Sequence, residues 1–156
     1  MNDLTIREAD QGDRDELFSL YSLVVEEGGA FPTEPPASEK DFDNAWWVKS
    51  AVFVACLGDD LVGSYYLNPN FGGRAGHIGN AGYMVHRDFR WQGIGERLVE
   101  HSIAAAPTFG FDALMFNLVF ESNPARHLYE RMGFEVVGRV PEAVAGDDAL
   151  VYWRRV

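Results

Sequence analysis

The spacing of hydrophobic residues in this chain changes period several times, and each change marks an element. In "LTIREA" apolar and polar positions alternate, which predicts a strand. From Asp13 to Glu27 the period becomes helical: Leu17, Leu20, Tyr21 and Val24 fall on one face, and Gly28-Gly29 ends the run. The three prolines of "AFPTEPPASEKDF" predict a loop without regular structure, followed by a short helix around Asn44 to Lys49. "AVFVACLGDDLVGSYYLNPN" then reads as two β-rich runs joined by the turn "GDD", a hairpin, and "GNAGYMVH" as a third strand.

The second half switches period again. From Gly93 onward Ile94, Leu98, Val99, Ser102, Ile103 and Ala106 occupy one half of a helix, and Glu96, Arg97, Glu100 and His101 the other. "DALMFNLVF" predicts a strand, Pro124 to Met132 a helix, and "FEVVGR" and "ALVYWRRV" two closing strands. A hairpin meander followed by a β-α-β crossover places the chain in the α/β or α+β class.

Composition narrows the picture. A length of 156 residues with 47% hydrophobic and 13% aromatic content fits one folded domain over residues 1 to 156. No secretory leader pattern and no bilayer-length apolar run is seen, so the expected location is the cytoplasm. Cys56 is the single cysteine and forms no internal disulfide. The formal charge of -11 opposes nucleic-acid or anionic-membrane binding over the surface as a whole. That charge is unevenly placed: residues 1 to 60 hold 4 basic and 14 acidic side chains, residues 61 to 156 hold 9 and 10. The second part is the one able to host an anion.

Candidate chemistry centres on "RWQGIGERL", Arg90 to Leu98. A strand ending near His86, a loop with Arg90, and Gly93 and Gly95 at a helix start aim unpaired N–H groups and the positive helix end at one place, which suits a phosphate or diphosphate, with the Arg90 guanidinium as an added charged donor. It is not a Walker loop, because Lys and Ser/Thr do not follow the glycines, and Leu98 stands where a Rossmann fingerprint has its third glycine.

"YMVHRDFRWQGIGERLVEH" resembles the acetyl-CoA motif of the GCN5-related N-acetyltransferases, Q/R-x-x-G-x-G/A after a strand, and "SNPARHLYERMGF" resembles their second motif. The resemblance spans nearly the whole chain. It implies that family's mixed sheet of six or seven strands flanked by about four helices, with acetyl-CoA as co-substrate. It further implies that the backbone at Met84 and Val85 bonds the pantetheine arm where two strands splay. The amides through Arg90, Gln92, Gly93, Ile94, Gly95 and Glu96 would hold the diphosphate, Tyr129 would reach the sulfur, and Asn123 would approach pantetheine or substrate. The family's Asn more often lies seven residues before the Tyr, where this chain has Ser122; Asn123 lies six before. "EEGGAFPTE", "GNAGYMV" and "MFNLVFESN" are also similar to the subgroup typified by the fungal acetyltransferase of azetidine-2-carboxylate, which would assign Asn80, Asn117 and Asn123 to the acceptor.

The chemistry of acetyl transfer agrees with these assignments. A neutral amine attacks the thioester and the departing thiolate needs a proton, which a tyrosine hydroxyl at Tyr129 supplies. No carboxylate lies on "HIGNAGYMV", so the amine's proton leaves through water held by Asn80, Asn117 or carbonyls, with Glu121 the one nearby carboxylate to test. Asn117, between Phe116 and Leu118, is expected to be buried and therefore used; Asn80 serves the site or local backbone equally well. His77, His86, His101 and His127 show no metal-ligand spacing, so no metal is expected. Cys56 reads as a core residue rather than an acyl carrier, and Trp46-Trp47 as a pocket cover or as packing.

Three readings follow: an N-acetyltransferase for a small amine or amino acid, a protein lysine or N-terminal acetyltransferase, and a non-catalytic acyl-CoA sensor. A homodimer is the expected assembly. The acidic first part draws amines but conflicts with a carboxylate on the acceptor.

Overall fold

A computed structural model describes residues 3–156. Seven strands form one mixed sheet: β1 (Leu4–Glu8), β2 (Ala51–Leu57), β3 (Asp60–Pro69), β4 (Ile78–Val85), β5 (Ala113–Phe120), β6 (Glu135–Val144) and β7 (Asp147–Arg155). Their spatial order is β1-β2-β3-β4-β5-β7-β6, antiparallel throughout except where β4 meets β5. The four α-helices are α1 (Arg14–Glu27), α2 (Glu39–Phe42), α3 (Ile94–Ala105) and α4 (Ala125–Arg131). The strands and the long helices stand where the periodicity places them, give or take a few residues.

The exception is the short helix expected at Asn44 to Lys49. Helix α2 begins earlier, inside the segment read as irregular, and continues as a π-turn over Asp43–Trp47. The signal was a capping box: the Ser38 hydroxyl accepts from the Asp41 amide at 3.0 Å, and the Asp41 carboxylate accepts from the Ser38 amide at 3.0 Å.

Alternation along the strands builds a core on each side of the sheet. On one side Tyr65, Leu67, Ala81, Leu114 and Phe116 pack with Ile94, Leu98 and Val99 of α3 and Tyr129 of α4. On the other, Val54 and Met84 pack with Leu17, Leu20, Tyr21 and Val24 of α1 and with Phe42 and Trp46. Trp46 is 1% exposed and lies edge-on to Tyr66 at 4.9 Å, so it is packing rather than a pocket cover.

The feature that positions the site is the meeting of β4 and β5. They pair in parallel only at Ile78↔Ala113 and Gly79↔Leu114, and from Asn80 onward β4 has no partner on that edge. The divergence leaves the Met115 carbonyl without a β4 amide, and the Asn80 side-chain amide donates to it instead at 2.9 Å. No helix among the described residues is long and apolar enough to cross a membrane.

Candidate active site

The gap between the strands opens into a cleft of about 520 Å³ bordered by the end of β4, the loop after it, the start of α3, α4 and the C-terminal end of α1. Its geometry begins with backbone. Gly93 takes a left-handed conformation, φ 79°, and is the N-cap of α3, with no side chain capping the helix. The first intrahelical bond of α3 runs from the Arg97 amide to the Gly93 carbonyl, leaving the amides of Ile94, Gly95 and Glu96 without helical acceptors. A Cβ on Gly93 would meet nothing within 4 Å, and one on Gly95 would make only ordinary contact with Leu128 at 3.6 Å. Protein packing therefore does not demand these glycines. The left-handed turn demands the first, and open space beside bare amides is what an anion needs.

Arg90 stands differently from its expected role. Its guanidinium donates twice to Glu27, Nη1 to Oε2 and Nη2 to Oε1, both at 2.7 Å, and its Nε and Nη2 reach the Val85 carbonyl at 3.2 Å. Instead of extending toward a phosphate, it ties the end of α1 to the loop that presents the amides. The pair holds the Glu27 carboxyl below the usual carboxylate range, chiefly through the hydrogen bond from Arg90. Next to it Trp91 has φ 66° and is 94% exposed on the rim of the cleft.

At the deep end sit two tyrosines with different commitments. Tyr83 is bonded at 2.6 Å to Ser102, whose own hydroxyl donates to the Val99 carbonyl at 2.7 Å, so Tyr83 is the donor in that pair. Tyr129 packs among Phe116 at 4.8 Å, Tyr152 at 5.8 Å and Tyr83 at 6.0 Å. Its hydroxyl makes no hydrogen bond among the described residues. Among the described residues no sealed side-chain oxygen lacks a partner, so this hydroxyl opens to the cleft. Burial pushes its acidity far to the weak side, and the phenol stays protonated.

The cleft brings together Met84, Val85, Arg90, Gly93, Ile94, Gly95, Glu96, Asn123 and Tyr129 from the sequence-derived set. Asn123 spends its Oδ1 on the Ala125 amide at 2.9 Å, capping α4, which leaves its NH₂ free. Ser122 instead donates to Asp147 at 2.6 Å and is not among the lining residues, so Asn123 is the turn residue that faces the cleft. Gln92 is exposed and outside the lining.

Two expectations need correction. Asn117 is exposed, not buried: the register of β5 on β7 shifts between Phe116 and Val119, and Asn117 turns outward into a reciprocal amide pair with Asn70 at 3.0 and 2.6 Å. Glu121 is bound to Arg139 in an ion pair, a poor arrangement for a base. Asn80 lies outside the cleft lining, accepting from the Tyr66 hydroxyl at 2.8 Å while it donates to Met115. His127 and Arg131, which line the cleft from α4, were missed. The signal was available, since they share a helical face with Leu128 at spacings of three and four. Cys56 lies on β2, two strands from the gap.

This arrangement of splayed strands, uncapped helix and free phenol has a known counterpart. The profile of the acetyltransferase (GNAT) family matches residues 17–134. The chain belongs to the GNAT family. Among curated relatives, N-acetyltransferase aca1 of Schizosaccharomyces pombe is 39% identical over 84 residues, 53% of this chain and 40% of that protein, so the match spans less than half of the relative's length. Among solved structures, a GCN5-related N-acetyltransferase from Kribbella flavida superposes with a TM-score of 0.90 at 29% identity, covering 98% of both chains. The phosphinothricin acetyltransferase of Sinorhizobium meliloti, solved in complex with AcCoA, shares the GNAT fold with a TM-score of 0.86 at 20% identity, covering 98% of this chain and 88% of that one.

Proposed function

We propose that the protein transfers the acetyl group of acetyl-CoA to the amine of a small molecule by direct attack within a ternary complex. One observation carries the reading: a single cleft joins the uncapped amides of α3, the unpaired edge of β4 and the free hydroxyl of Tyr129. The Ile94, Gly95 and Glu96 amides would hold the diphosphate, and the free edge of β4 offers strand-like hydrogen bonds to pantetheine through the Tyr83 backbone and the Val85 amide rather than through Met84, whose backbone faces Ser64 of β3, while the Val85 carbonyl already accepts from Arg90. When bound, acetyl-CoA supplies an acyl group activated as a thioester. The occurrence of AcCoA in a structural neighbour of the same fold and the N-acetyltransferase activity named for aca1 support this class.

Tyr129 donates its hydrogen bond where thiolate charge develops. Burial raises the phenol, but a thiolate forming in the same dry cleft is raised by the same cause, so transfer stays feasible. Asn123 turns its free NH₂ toward the pantetheine. Asn80 sits at the gap on the α1 side and orients the acceptor, with Asn117 and Asn70 bordering that side. With Glu121 engaged by Arg139, the amine's proton leaves through water rather than a dedicated carboxylate.

Acetyl-CoA-dependent thiol release is the test, with a panel of azetidine-2-carboxylate, proline, other amino acids, polyamines, aminoglycosides and a lysine peptide. Turnover confined to small amines is the expected result. Turnover only of the peptide moves the acceptor to protein, and tight acetyl-CoA binding with no release on any amine overturns catalysis in favour of a sensor.

A further inference from the structure

The α1 side of the sheet carries a polar group that the cleft does not use. Tyr66 of β3 and Asn80 of β4 point to this side, while their neighbours Tyr65, Leu67 and Ala81 enter the core under α3. A chain of hydrogen bonds runs from the Tyr66 hydroxyl to Asn80 at 2.8 Å and from Asn80 to the Met115 carbonyl at 2.9 Å, ending at the lip of the β4–β5 gap. Gly82 makes room for it, since a Cβ there would lie 2.5 Å from Tyr66 Cε2.

Over the Tyr66 ring lies the ammonium of Lys49, 5.3 Å from the centroid. The backbone beside it is pinned: the Ser50 amide and hydroxyl both donate to Asn68 Oδ1 at 3.0 Å, and Asn68 is the register partner of Asn80. In the acidic first part of the chain, Arg7 is paired with Asp13, and Arg14 with Glu39 and Asp43. Lys49, partly buried, has no carboxylate partner among the described residues within the 4.0 Å that defines an ion pair. A cation held on an aromatic face and left without an anion, one ring away from the gap, is a counter-charge in waiting.

We propose that Lys49 determines acceptor specificity, binding a carboxylate that the acceptor carries close to its amine, while Asn80 directs the amine into the gap. The inference rests on the acetyltransferase reading and sharpens its substrate class to amino-acid-like compounds. It also resolves the conflict of charge in the first part of the chain. The surrounding acids draw the cationic amine, and Lys49 accepts the carboxylate that they would repel. A single aromatic ring separates the two recognition points, a span for one small molecule rather than for a lysine side chain on a protein.

The test compares proline and azetidine-2-carboxylate with pyrrolidine and azetidine, the same rings without the carboxylate, in the wild type, Lys49→Met and Lys49→Arg. Lys49→Met is expected to lower kcat/KM for the two acids about 10-fold or more through KM, to leave the bare amines within about twofold and to keep acetyl-CoA affinity, with Lys49→Arg recovering part of the loss. An equal loss on acids and bare amines, or no loss, overturns the role of Lys49. If no amine is turned over, the acetyltransferase reading fails, and Lys49 is still judged by binding. The chain has only two lysines, Lys40 and Lys49, so reductive ¹³C-methylation, which keeps the charge, gives a Lys49 signal assignable with Lys49→Arg. That signal should shift with proline or azetidine-2-carboxylate and not with pyrrolidine or azetidine. A signal indifferent to both acids, or moved equally by the bare amines, overturns the proposal.

Discussion

The two sides of the β4–β5 gap are built by different means. On the α3 side the recognition surface is backbone: three uncapped amides, a left-handed glycine and a strand edge without a partner. On the α1 side it is a relay of side chains, Lys49 over Tyr66, Tyr66 to Asn80 and Asn80 to Met115. The difference fits the tasks proposed for the two sides. A backbone surface binds a feature common to every molecule of a cofactor, a diphosphate and two amides, and its cost of change is high. Side chains on a finished sheet can be exchanged one at a time, which suits the variable partner.

The comparison breaks first at Tyr129. Removing its hydroxyl in Tyr129→Phe should lower kcat about 100-fold or more with acetyl-CoA affinity within about threefold, read by steady-state kinetics beside a direct cofactor titration. An unchanged kcat removes Tyr129 from proton donation. Next comes the backbone surface itself: Gly93→Val forces a β-branched residue into a φ of 79°, with strain on the order of 1–3 kcal/mol. Acetyl-CoA affinity should fall about 10-fold or more, measured by calorimetry, while a normal affinity would contradict the amide cradle.

Smaller effects sharpen the contrast. Tyr83→Phe deletes a donor to Ser102, which keeps its bond to Val99, so stability should drop by about 1 kcal/mol in chemical denaturation with kcat within a few-fold. A loss of kcat as large as that of Tyr129→Phe would mean that the two phenols share the chemistry. The smallest expected effect is at Glu27. Its carboxyl is held below its usual range by Arg90, so its contribution is present above the unfolded carboxyl pKa of about 4.3 and is lost as pH falls through the lower folded value. With its side chain 30% exposed and that of Arg90 37%, the pair should contribute at most about 1 kcal/mol. The melting temperature of Glu27→Gln should lie slightly below that of the wild type at neutral pH and converge on it in acid. A gap that widens on acidification would refute the assignment.

How much of this was legible in advance follows the same division. Gly93 and Gly95 report local geometry, and the glycine-turn-helix pattern names its own ligand class because the amides it frees are those of adjacent residues. Tyr129 and Asn123 were reachable because Pro124 marks the start of α4, with Asn123 in the turn just before it and Tyr129 within two turns after. Asn117 misled, since an amide between Phe116 and Leu118 reads as buried only if the strand alternates without interruption, and a bulge in β5, with two residues where β7 has one, breaks the alternation. Glu121 and Arg90 misled for another reason. Their ionic partners, Arg139 and Glu27, lie 18 and 63 residues away, and no local pattern announces a pair that only folding creates.

By itself the sequence determined the strands, the long helices and the glycine turn that opens α3, because periodicity, capping and φ preferences act over a few residues. Only the tertiary structure decided which polar side chains are free to act. Tyr129 is free and Tyr83 is not, Asn123 faces the cleft and Ser122 does not, and Lys49 is left without a counter-ion where Arg7 and Arg14 have theirs. A side chain's availability depends on partners brought from distant parts of the chain, and those are set by how β4 and β5 part and by what each face of the sheet then packs against.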